Sequence, residues 1–148
     1  MNEAPTRFAR EGTEDSKAVC VAQVFCDEPA PVEEIKRQFG SEPMALVCLF
    51  SAPCADFNGL IMAAQSSFGD ADIVACTTAG ELGRAGYEEK QIIAVGFPAR
   101  YFSAITFALE DLKALDDQNV IDSIIQKRMA LSQLAPDRPH EFAFLLVD

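Results

Sequence analysis

Small and hydroxyl-bearing residues stand together with a lone carboxylate in Cys76-Thr77-Thr78-Ala79-Gly80-Glu81. Two threonine hydroxyls and free backbone N–H groups can hold a carboxylate or an amide. The Glu81 carboxylate can take an amine. Gly80, Gly83 and Gly86 follow at intervals of three, and glycine lets a backbone approach a ligand or another strand closely. Tyr87 adds a phenol that can donate to a ligand or pack at a strand start. The phosphate-loop pattern GxxxxGK[ST] is absent, as is GxGxxG. Spacing alone leaves two readings open, a ligand-contact loop and a tight turn in which the hydroxyls satisfy backbone groups.

Other chemistries find less support. His140 is the sole histidine, in Ala-Pro-Asp-Arg-Pro-His-Glu-Phe, and reads as a surface-loop residue. A nucleophilic pair of Cys54 with His140 would define a third class, a cysteine enzyme, but no spacing supports it. The five cysteines are odd in number, and Cys20, Cys48 and Cys76 lie within apolar runs. That pattern fits free thiols in a reducing compartment. No CxxC spacing suggests a structural zinc site. Glu33 and Glu34 fall near a helix start, where the dipole favours them without any functional role.

The elements that must position these groups are legible from periodicity. Ala18–Phe25 reads as a strand. Pro31–Gly40 reads as a helix with Val32, Ile35 and Phe39 inward. Met44–Phe50 is nearly continuous in apolar residues, as expected of a covered strand. Asp56 caps a second helix with Phe57, Leu60, Ile61, Ala64 and Phe68 on one face, and Gly69 ends it. Ala71–Cys76 is a third strand. This β-α-β-α-β order predicts a parallel sheet with right-handed crossovers. Lys90–Phe97 alternates, and only Pro98-Ala99-Arg100 separates it from Tyr101–Leu109, so these two predict an antiparallel hairpin. Asp116–Ala135 reads as a long helix with Val120, Ile124, Leu131 and Leu134 inward, and Glu141–Asp148 as a last strand. The expected fold is α/β, with a mixed sheet and flanking helices. The chain stops on an apolar run with no covering helix, which reads as a truncated domain.

In such sheets ligands bind beyond the carboxyl ends of the strands. Those ends are Cys26-Asp27, Ser51-Ala52-Pro53-Cys54 and Cys76-Thr77-Thr78. They should share one edge carrying Ser51, Cys54, Thr77 and Thr78.

A chain of 148 residues is one domain or part of one. Its net charge of −11 argues against nucleic acid and anionic membranes, both of which call for clustered Lys and Arg. No apolar run reaches the roughly 18 residues of a spanning helix. Residues 1–17 are polar and read as a disordered lead-in with no signal peptide, so the expected location is cytoplasmic.

Cys-Thr-Thr-Ala-Gly-Glu, then Gly86-Tyr87, then the alternating Ile92–Phe97, resembles the N-terminal part of the FIST sensory domain. Leu46–Pro53 and the closing Phe144–Asp148 agree in order, over roughly residues 18–148. The family's usual Gly-Leu-Ser continuation and second half are missing here. The resemblance implies a non-catalytic bacterial input module in signal transduction. Such a module would bind a small molecule, amino acids among the ligands, and pass the signal to a kinase, a cyclase or a chemoreceptor. It points to Thr77, Thr78, Gly80 and Glu81 as ligand contacts and implies no cofactor. An alternative branch implies haem and nitric oxide sensing, with control of a kinase or a cyclic-di-GMP enzyme. Its axial ligand would be His140 or a thiolate such as Cys54, and neither matches a family motif.

Overall fold

The computed structural model describes residues 18–83, 86–109 and 116–146. The polar lead-in at 1–17 lies outside the described residues. The described residues form six strands and three helices: β1 (Cys20–Phe25), α1 (Pro31–Phe39), β2 (Met44–Ser51), α2 (Phe57–Ser67), β3 (Asp72–Thr77), β4 (Glu81–Gly83), β5 (Gly86–Glu88), β6 (Gln91–Pro98) and α3 (Asp117–Leu134). The class is α/β with a mixed sheet, as expected.

The helix signals act where the sequence puts them. Pro31 opens α1, Glu33 and Glu34 occupy its first turn, and Lys36 and Arg37 its last. These charges complement the helix dipole. Gly40 ends the helix at φ +88, a conformation that favours glycine. The Asp56 side chain accepts from the Gly59 amide at 3.1 Å and caps α2. Val32, Ile35 and Phe39 are buried on α1, and Leu60 and Ala64 on α2.

The main sheet has the order β1-β6-β2-β3. β2 and β3 are parallel, and β6 runs antiparallel to both β1 and β2. β1, β2 and β3 therefore point the same way, but β6 stands between the first two. Ala22, Val24, Val47, Leu49, Ile92 and Ala94 face the buried residues of α1 and α2 in one core. Burial of these aliphatic side chains, worth about 1.5–3 kcal/mol each, is what holds helices to sheet.

Three expectations need correction. Residues 102–109 form no strand, so the hairpin with β6 is absent. β6 already spends both edges on β1 and β2 and has no free ladder to offer. The segment runs instead toward β3, where Thr106 Oγ1 donates to Asp72 Oδ2 at 3.1 Å. The antiparallel hairpin that does form is β4–β5. Second, α3 buries none of its residues, and Ile124 and Leu134 are exposed rather than inward. Third, residues 141–146 form no strand, while 147–148 lie outside the described residues. Phe142 and Phe144 instead pack on Phe97, with Phe102 completing an aromatic cluster.

Candidate functional site

The carboxyl ends of β1, β2 and β3 do share one edge, and the start of β6 enters it from the opposite direction. Backbone hydrogen bonds fix the arrangement. The Thr78 amide donates to the Ser51 carbonyl at 2.9 Å, and the Ala52 amide donates to the Gln91 carbonyl at 2.9 Å. Both ends of the excursion 78–90 are thus pinned to the same two residues at the end of β2. The Cys26 amide donates to the Lys90 carbonyl at 2.9 Å and ties in β1. Lys90 takes a positive φ of 62 where the chain turns into β6.

Within the excursion, β4 and β5 pair Glu81 with Glu88, Leu82 with Tyr87 and Gly83 with Gly86. Tyr87 folds back, and its hydroxyl donates to the Ala79 carbonyl at 3.4 Å. A Cβ on residue 80 would collide with the Tyr87 ring and hydroxyl. Gly80 is therefore a glycine because an aromatic ring crosses the backbone there. Gly86, at φ +113, needs glycine for its own conformation.

The structure places each sequence-derived residue as follows. Thr77 ends β3 opposite Ser51 and is exposed; Thr78 is half-buried beside it. Ser51 is fully buried, its hydroxyl donating to the Ala52 carbonyl at 3.2 Å. Glu81 heads β4, and its carboxylate lies outside what the structure describes. Tyr87 is exposed, with its hydroxyl engaged as above. Cys54 is exposed in the turn before α2, at this same edge.

His140 lies elsewhere. Its segment is anchored by Arg138, whose guanidinium donates to the Ala99 carbonyl at 3.0 Å. Phe142 then rests on Phe97, which pairs with Leu46 near the start of β2. Cys54 follows the other end of that strand, so the fold does not bring Cys54 and His140 together. Burial raises the thiol pKa of Cys48 and of Cys76, with the neighbouring Cys76 adding to the rise at Cys48. Both stay protonated and weakly nucleophilic at neutral pH. Among the described residues, no group of three or more His, Cys, Asp or Glu side chains is placed to hold a metal ion.

Sequence reasoning assigns no role to Gln91. It is the polar residue that opens the apolar β6, and it is 3% exposed. An open groove of about 420 Å³ lies far from this edge in sequence, along α3, lined by Ile125, Arg128, Met129, Ser132 and Gln133. All five belong to one helix, so this groove is helix surface.

The FIST N domain family matches residues 45–148, and the chain belongs to that family. FIST domains are sensory domains of signal transduction. The match takes in β2 to α3 and the whole excursion, while β1 and α1 precede it. No curated protein and no solved structure matches the chain. No helix among the described residues is long and apolar enough to cross a membrane.

Proposed function

We propose that this chain is a non-catalytic input module that binds a small polar molecule at the carboxyl edge of its sheet. The observation that carries the reading is the pinning of both ends of the 78–90 excursion to Ser51 and Ala52. An excursion anchored so tightly at its feet can change shape above them without disturbing the sheet. Thr77, Thr78, the Gly80 backbone and Glu81 supply the contacts, with Cys54 and Tyr87 bordering them and the buried Ser51 beneath. A ligand with unequal affinity for two arrangements of the excursion shifts their populations. A bacterial kinase or cyclase in the cytoplasm reads the result.

The test is a thermal-shift screen of the chain against the amino acids and related metabolites. A compound present at about 100 times its Kd stabilises by about 2.7 kcal/mol, a shift of several degrees. Thr78→Val should weaken that compound about tenfold by removing one hydrogen bond. A screen in which no compound moves the Tm overturns the proposal.

A further inference from the structure

We propose that the side-chain amide of Gln91 is the buried recognition group of this edge, and that its ligand is small and carries a hydrogen-bond donor and acceptor close together. Free amino acids and simple primary amides share that chemistry. The inference rests on the ligand-sensing reading above and names the contact that reading lacks.

Gln91 is 3% exposed, and its amide makes no hydrogen bond with the described residues. A carboxamide offers two N–H donors and a doubly accepting oxygen. Buried amides are almost always paired, so one left over marks a place where a partner belongs. The backbone of Gln91 is held in the sheet: it stands opposite Phe25, and its carbonyl accepts from the Ala52 amide at 2.9 Å and from the Cys26 thiol at 3.7 Å. The side chain is the part without a structural task.

Its placement gives it a ligand-facing geometry. Ile92 and Ala94 point into the helical core, so alternation turns Gln91 to the other face with Ile93 and Val95. Ser51 pairs with both Ile92 and Thr77. One step further along, Gln91, Ala52 and Thr78 therefore stand on one rung. Gln91 and Thr78 are two strand spacings apart, roughly 9–10 Å, with only the Ala52 methyl between them. The hairpin's β4 contacts β6, the strand that Gln91 opens. Ala52 is itself 5% exposed, so a small molecule must displace its cover, and there it would meet the Gln91 amide on one side and Thr78 on the other.

The experiment compares wild type with Gln91→Met and Gln91→Leu in thermal-shift titrations, using the L-amino acids in one arm and acetamide and malonamide in the other. The expected result is a Tm of the unliganded variants at or above that of wild type, with the half-saturating concentration of the active probe raised at least about tenfold. Response in one arm alone identifies which source of the chemistry is read. A probe that shifts wild type and both variants at the same concentration overturns the Gln91 assignment and leaves the sensor reading standing. No shift of wild type by any probe overturns both. Where a variant fails to fold, the side-chain NH2 signals of Gln91 in wild type decide. They should move on saturation with the active probe, and signals that stay fixed overturn the assignment.

Discussion

Gly80 and Tyr87 form a unit seven residues apart, since the ring lies where a Cβ at residue 80 would stand. Gly80→Ala should therefore displace the ring and reshape the excursion. Tyr87→Ala should remove that conflict, so the two changes are strongly non-additive in a double-mutant cycle read by amide chemical shifts of residues 78–80. Equal, additive shifts would show that the ring does not rest on Gly80. The thiols separate in the same way by surroundings. Cys54 is exposed, whereas Cys48 is buried and burial holds the Cys48 and Cys76 thiols protonated. A thiol reagent at neutral pH should modify Cys54 first, and Cys54→Ser should abolish the fast phase; rapid labelling of Cys48 would contradict the packing. On α1, hydrogen bonds from Arg37 and Gln38 hold the Glu34 carboxyl down at about 2, well below the ordinary value. Its depressed pKa makes the favourable contribution present above the ordinary carboxyl range and lost as pH falls toward 2. Arg37→Ala should raise the Glu34 titration midpoint seen by carbon NMR, and because the pair lies at the surface with Arg37 exposed, Tm should scarcely change.

At the scale of elements, α1 presses closely on the sheet where Phe39 meets Gly96. A Cβ at residue 96 would come within 2.6 Å of the Phe39 ring. Gly96→Ala should cost about 1–3 kcal/mol through overpacking, measured by denaturant unfolding, and Phe39→Leu in the same chain should recover part of it. An unchanged midpoint for Gly96→Ala would show that the helix shifts freely. The β-α-β-α-β half was legible because its signals are local: Val32, Ile35 and Phe39 at helical spacing, Asp56 as cap, and Val47 and Leu49 in an apolar run. The place of β6 was not legible, because no residue in Gln91–Pro98 states which strands will flank it. The short Pro98-Ala99-Arg100 link argued for a hairpin, and only the filling of both β6 edges forbids one. The edge carrying Ser51, Cys54, Thr77 and Thr78 followed from strand direction alone. Gln91 did not, since burial without a partner is a property of three dimensions.

At the scale of the molecule, α1 and α2 cover one face of the sheet, while Val21 and Phe25 remain exposed on the other. α3 has apolar residues at helical intervals, yet Ile121, Ile125 and Met129 all stand in solvent. An ion pair from Arg128 to Glu141 joins it to the segment that follows. Local stability tracks buried apolar contact. Hydrogen exchange should therefore be fast along α3 and slow in β2 and β6, and equal protection would show that α3 is packed in solution. The position of β6 bears on how the molecule is made. β1 and β2 are joined by a single helix, so in most sheets of this kind they could pair as soon as both were synthesised. Here the strand that separates them is not complete until residue 98. The β1 ladder waits on residues 91–96, and one edge of β2 waits on the strand through residue 98. A nascent chain emerging from the ribosome would carry β1 unpaired and exposed through more than sixty residues of further synthesis. The strand order therefore sets how long β1 stays without its partner during synthesis.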